Sequence, residues 1–306
     1  MKIILLVAAE RGLKCLEKFI ELKKDENITV FSFKETPWEP PFSKRIENIC
    51  HEAGIQFHLT KKIHDESFNY VWEEAPDLMF AIGWRYLIPE TRFSRAKIGS
   101  FVFHDSLLPK YRGFSPSVWA VRNGEASTGA TLFEMSLNMD EGDIVDQREV
   151  PILDNHYIDK VVDNVTKTYI SMIEDNYQQL TTGSFRTKQQ IHSDATYTCN
   201  LQPGDFQIDW SKSTKDIFNL IRSYVYPYSY SFFFLNGKKI RVKNALVIND
   251  RRYIGAIPGR VVEIIFGVGV DIVTVDSVIR IKEVILEDDS VTSADKVINK
   301  LSYTLN

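Results

Sequence analysis

His104-Asp105-Ser106-Leu107-Leu108-Pro109-Lys110-Tyr111-Arg112-Gly113 follows an apolar run over residues 98–103, and its reading decides the fold. The run has the length and content of a buried strand. A histidine at the end of such a strand, entering a turn, sits where open α/β sheets place ligands and chemistry. Further on, Thr128-Gly129-Ala130-Thr131-Leu132-Phe133-Glu134-Met135 reads as another strand and leads into Met139-Asp140-Glu141-Gly142-Asp143. His104 and Asp140, each beside a glycine-bearing turn, form a candidate proton-handling pair.

Working outward, strand patterns cover 2–8, 28–33, 55–59, 78–82 and 100–104, with helical patterns over 12–23, 43–53 and 66–74. This alternation predicts an α/β fold with a mainly parallel sheet and helices on both faces. Ala8-Ala9-Glu10-Arg11-Gly12, after the first strand, lacks the closely spaced glycines of a dinucleotide site. Val161, Val162, Val165, Tyr169, Ile173, Tyr177 and Leu180 recur at helical spacing and predict a helix over 157–181. The expected organisation is a first domain over 1–184, a polar linker over 185–200 and a second domain over 201–306. In the last, Ser213 is the expected N-cap of a helix over 213–224. The period then changes to two: Asn236-Gly237 marks a hairpin between strands at 230–235 and 239–247. Strands at 260–266, 271–275 and 278–284 follow.

The chain has 306 residues, 44% hydrophobic and 25% charged, with a formal net charge of −4. These are the proportions of a globular protein with room for two cores. The acidic balance argues against a nucleic-acid partner, which needs a local excess of Lys and Arg. No run reaches the length of a membrane span. Cys15, Cys50 and Cys199 are odd in number and widely spaced, which fits a reducing cytoplasm and no metal site. His51, His58, His64, His156 and His192 stand in no partner pattern.

The two segments around His104 and Asp140 resemble the N10-formyltetrahydrofolate-dependent formyltransferases. That family carries Asn-x-His ahead of Ser-Leu-Leu-Pro-x-x-Arg-Gly, then a Thr-Gly-x-Thr strand ending in Asp-x-Gly. Ser106, Leu107, Leu108, Pro109, Arg112, Gly113 and Gly142 match, and His104 and Asp140 match the catalytic histidine and aspartate. The resemblance implies an N-terminal Rossmann-like domain and a smaller C-terminal β-rich, OB-like domain. It also implies N10-formyltetrahydrofolate as co-substrate, with no metal. By position, Gly83, Trp84, Arg85, Tyr86 and Leu87 match the pterin-binding segment. Two residues depart from the pattern. Val102 stands where the family has its catalytic asparagine, and Asp105 where it has a small residue or proline.

Formyl transfer requires a neutral amine to attack, a donor for the developing oxyanion, and a group that accepts the amine's proton. A histidine suits the last task, and an adjacent aspartate can orient it. Residues two apart in a strand share a face, so Val102 is expected to point into the site beside His104 without offering a donor. Ser106 and Asn138 are the nearby side-chain candidates to replace it, with backbone N–H groups and protonated His104 as the other donors; without any of these the reaction is slower or different. Lys110, Tyr111 and Arg112 form a basic, aromatic turn suited to an anionic acceptor group such as a diphosphate.

Two acceptors fit the resemblance. Methionyl-tRNA enzymes carry a basic insertion early in the first domain, whereas Lys34-Glu35-Thr36-Pro37-Trp38-Glu39-Pro40-Pro41 is short and nearly neutral. A nucleotide-linked amino sugar, as in surface-polysaccharide and lipopolysaccharide synthesis, is therefore the expected acceptor, and methionyl-tRNA the alternative. A third reading is a weak or inactive relative that only binds folate or a nucleotide sugar. The expected partners are the small-molecule substrate and a second copy of the chain in a homodimer, with no nucleic acid and no membrane. The sugar, the nucleotide and the oligomeric state stay open.

Overall fold

The computed structural model describes residues 1–37, 39–255 and 257–306; Trp38, within the short neutral stretch, lies outside the described residues. In chain order the main elements are β1 (Lys2–Val7), α1 (Ala9–Leu22), β2 (Asn27–Ser32), α2 (Ser43–Glu52), β3 (Gln56–Leu59), β4 (Leu78–Ile82), α3 (Glu90–Phe93), β5 (Gly99–His104), β6 (Arg112–Gly113), α4 (Pro116–Arg122), β7 (Ser127–Glu134), β8 (Ile144–Pro151), α5 (Ile158–Thr182), β9 (Tyr197–Thr198), α6 (Thr214–Ser223), β10 (Phe232–Leu235), β11 (Lys238–Ile248), β12 (Val261–Ile265), β13 (Gly269–Val273), β14 (Val278–Ile285) and β15 (Val291–Ser293). They form two compact units. One comprises Met1–Pro116, Ser127–Pro151 and Val161–Cys199; the other comprises Ser117–Ala126, Ile152–Lys160 and Asn200–Asn306.

In the first unit seven strands run in the order β3-β2-β1-β4-β5-β7-β8. The strands from β3 to β5 are parallel, and β7 and β8 are antiparallel additions. Strand alternation divides the core. Ile3, Leu5, Val7, Phe101 and Phe103 join one cluster with α1 and α5, while Ile4, Leu6, Met79 and Ala81 join another on the opposite face. The chain leaves β1 toward β2 on one side and returns to β4 on the other, so the ends of β1 and β4 border a topological switch point. Gly83 stands there with φ +70, and a Cβ on it would lie 2.6 Å from the Ala8 carbonyl oxygen.

Several elements differ from the sequence reading, among them the following. Residues Glu66–Trp72 form a 3₁₀ helix, not an α-helix, capped by Asp65, whose carboxylate accepts from the Ser67 N–H at 3.0 Å. Its aromatic and branched residues favour the α-form weakly, and Trp72 is fixed by donating to the Ile63 carbonyl at 3.1 Å. β8 was not anticipated: it is an edge strand with few fully buried residues, so its sequence lacks a clean alternation.

The second unit is built on a six-stranded antiparallel sheet, β10-β11-β14-β13-β12 with β15 on β14. Asn236 and Gly237 both adopt left-handed conformations between β10 and β11, the turn that Asn-Gly favours. Ser213 caps α6 by accepting from the Asp216 N–H.

Candidate active site

β5 delivers His104 to the end of the sheet. Ser100, Val102 and His104 alternate with Phe101 and Phe103, and Val102 packs against the cluster that holds Ile4, Leu6 and Ala81. Val102 therefore shares the face of His104, as strand geometry requires. The ring of His104 is buried, with Phe133 edge-on at 6.5 Å between centroids. Its Nε2 lies 2.9 Å from the Tyr111 carbonyl oxygen, which can only accept, so that nitrogen carries a proton. Nδ1 then faces Asp140, whose Oδ2 is 3.7 Å away.

The turn after β5 is tied down by side chains. The Thr128 hydroxyl donates to the Asp105 carbonyl at 2.9 Å, and the Thr131 hydroxyl to the Ser106 carbonyl at 2.6 Å. Gln147 donates to the Leu108 carbonyl at 2.9 Å. These bonds bring Tyr111 back over His104. Tyr111 and Asp140 both have positive φ, at 60 and 55. Two non-glycine residues held in left-handed conformations against one imidazole mark a site whose geometry is imposed by its surroundings.

Asp140 is imposed on by three groups. The Gly113 N–H donates to its Oδ2 at 2.8 Å. The Gln190 amide donates to the carbonyls of Asp140 at 2.9 Å and Gly142 at 2.7 Å. Gly142 permits the turn, because a Cβ there would lie 1.7 Å from the Glu134 carbonyl oxygen. Gln190 is itself fixed by Arg112, whose Nε and Nη2 reach its oxygen at 3.2 and 2.7 Å. Arg112 is fully buried; its Nη1 also meets Glu141 at 3.1 Å, and its Nη2 lies 3.0 Å from His192 Nδ1. The guanidinium is thus spent on the Asp140 loop from behind. Gln190 and His192 belong to the polar segment that drew no functional assignment from its sequence, and β9 in the same segment pairs with β6.

The other expected site residues divide. Lys110 is exposed. Trp84 and Tyr86 pack edge-on against Phe33 at 5.4 and 4.9 Å, Arg85 pairs with Glu39 at 2.5 Å, and Leu87 is exposed. Neither side-chain replacement proposed for the missing asparagine is unengaged: the Ser106 hydroxyl donates to the Lys110 carbonyl at 2.7 Å, and the Asn138 amide to Glu141 at 2.9 Å. Among the described residues no cluster of His, Cys, Asp and Glu is arranged to hold a metal, and no helix is long and apolar enough to cross a membrane.

A parallel sheet with antiparallel additions, a histidine–aspartate pair at its strand ends and a separate antiparallel β unit are the architecture of the formyltransferase class. The formyl transferase family model matches residues 1–173 and the model of its C-terminal domain residues 200–302; the chain belongs to this family and is a formyltransferase. Solved structures share the fold. A variant of HypX from Aquifex aeolicus aligns over 98% of this chain at 16% identity and a TM-score of 0.69, but over 47% of its own length, so this chain spans about half of it. An N-formyltransferase from Helicobacter canadensis, solved with folinic acid and dTDP-3-aminofucose, aligns over 92% of this chain and 98% of its own at 18% identity, with a TM-score of 0.69. A methionyl-tRNA formyltransferase from Clostridium thermocellum covers 82% of this chain and 95% of its own at 17% identity, with a TM-score of 0.61.

Proposed function

We propose that this enzyme transfers the formyl group of N10-formyltetrahydrofolate to the amino group of a nucleotide-linked amino sugar, in the cytoplasm, for surface-polysaccharide synthesis. The observation that carries the transfer chemistry is His104 held between the Tyr111 carbonyl and Asp140. With the Nε2 proton committed to that carbonyl, Nδ1 of the neutral ring offers the lone pair. The acceptor amine attacks the formyl carbon and its proton passes to Nδ1; the formyl C–N10 bond then breaks, and N10 takes that proton back from the ring and leaves as tetrahydrofolate. Asp140 stabilises the imidazolium so formed; 3.7 Å is beyond a direct hydrogen bond, so the contact tightens or takes a bridging water on catalysis. Gly83, Trp84, Arg85, Tyr86 and Leu87 are the proposed folate loop, at the switch point where α/β folds bind ligands. Lys110 and Tyr111 are the proposed contacts to the acceptor's anionic part. Arg112 acts indirectly, by holding Gln190.

The acceptor assignment rests on the short, nearly neutral stretch at 34–41, on the net charge of −4, and on likeness to a fold solved with a dTDP-linked amino sugar. A thermal-shift series tests it. Thymidine diphosphate or another nucleoside diphosphate should raise the melting temperature by binding the folded state. No shift with any nucleotide, together with efficient formylation of methionyl-tRNA, would transfer the assignment to the RNA acceptor.

A further inference from the structure

Asp105, one of the two departures from the family pattern, sits in a sealed cluster on the face of the sheet opposite His104. Its carboxylate accepts from the Arg11 guanidinium and from the Tyr169 hydroxyl. Asp105 and Tyr169 are buried, and the Arg11 side chain is 15% exposed. Burial pushes the Asp105 carboxyl up, but Arg11, Tyr169 and His104 together hold it below the usual carboxylate range. Burial beside that carboxylate drives the Tyr169 hydroxyl well above its ordinary value, so the phenol keeps its proton and donates. Cys15, buried in the same place, is likewise held as the thiol by burial. The cluster is one cation, one anion and neutral donors.

The stem of Arg11 also passes near Gly83. A Cβ built on Gly83, the first residue of the proposed folate loop, would be 3.5 Å from Arg11 Cγ. The side chain therefore runs from Gly83 to Asp105, and Asp105 is the next residue after His104. The backbone at Asp105 is also fixed from the β7 side by Thr128, so the carboxylate is its tie to α1 and α5.

We infer that Arg11 and Asp105 are positioning residues that join the Gly83–Leu87 loop to His104, so that occupation of the loop by the formyl donor sets the ring. Binding energy at the loop then adds to the orientation that the Tyr111 carbonyl and Asp140 give the ring, next to a Val102 that offers no polar group. This inference rests on the folate reading above.

The test uses the full chain with nitrogen-15-labelled histidine and folinic acid as probe. The His104 ring signals are identified by their loss in His104→Ala. In the unaltered chain folinic acid should bind and shift those signals. Arg11→Met and Asp105→Asn should weaken folinic acid binding by roughly fivefold or more, because coupling between sites is reciprocal, and should abolish most of the shift. Each single variant leaves a charge buried without its counter-charge and can unfold the chain. The double variant Arg11→Met/Asp105→Leu removes both charges together and should stay folded with the same loss of coupling. Folded variants that bind folinic acid as the unaltered chain does and show the full His104 shift would overturn the inference, leaving the pair a purely structural one. Absence of folinic acid binding to the unaltered chain would instead overturn the folate reading, and the inference with it.

Discussion

Asp140 is partly exposed and its loop is held directly by neutral donors; Asp105 is buried and held by a guanidinium and a phenol. Asp140 is set by the Gly113 N–H and, through its backbone, by Gln190. Asp105 is set by Arg11 and Tyr169. Both carboxylates flank one imidazole, yet the first faces the ring and the second is turned away into the core. The difference separates a group that can respond during turnover from one that holds the framework. Neutral, partly buried contacts yield a few tenths of an ångström at little cost, whereas a buried ion pair resists any change that separates its charges.

The largest effect expected from breaking this arrangement is at the ring. His104→Ala should lower turnover by at least on the order of 10²-fold while the melting temperature changes little, and Asp140→Asn should do the same. Rates near the unaltered enzyme's in either variant would remove that residue from the mechanism.

The missing oxyanion donor gives the next effect. Val102→Asn restores an amide beside His104, and turnover should rise by up to roughly 10²-fold if the asparagine fits without strain. An unchanged or lower rate, with an unaltered enzyme already turning over at about 1–10 s⁻¹, would show that the site has been rebuilt around valine.

Gln190 sharpens the comparison from the Asp140 side. Gln190→Leu keeps the bulk and removes the amide that holds the left-handed loop, so turnover should fall by roughly tenfold with the KM for the formyl donor unchanged. Steady-state kinetics with varied donor decide it; a change confined to the donor KM would place Gln190 elsewhere in the mechanism.

The smallest effect is on stability against pH. Asp105 has a carboxyl lowered in the folded state relative to about 3.9 in an unfolded chain. Its contribution is fully present above that value and is lost as the pH falls through the lower, folded one. The double variant Arg11→Met/Asp105→Leu, which removes both charges, should therefore flatten the acid side of a melting-temperature profile and leave its neutral-to-alkaline shape alone. A variant with the full acid slope would show that other carboxylates supply it.

Sequence carried much of the first unit's sheet because its central strands are buried on both faces and read as apolar runs. His104 and Asp140 were paired from their flanking residues, and the structure brings them within 3.7 Å; strand alternation alone put Val102 on the face of His104. Gln190 was not legible. It lies in a polar tract ordered by contacts distant in sequence: pairing with β6, a bridge between Lys188 and Ile144, and Arg112, 78 residues away. Nor were the partners of Asp105, which lie 94 and 64 residues away on two helices. Arg112 shows the converse limit. Residue type suggested an anion ligand at the surface, and only packing reveals a guanidinium turned inward onto protein acceptors.

The most direct test mixes the purified chain with N10-formyltetrahydrofolate and a panel of dTDP- and UDP-linked amino sugars, alongside methionyl-tRNA, and follows products by mass spectrometry. The account predicts a formylated nucleotide sugar from the unaltered enzyme, none from His104→Ala, and no efficient formylation of the RNA. Formyl-methionyl-tRNA as the one product, or an undiminished sugar product from His104→Ala, would contradict it.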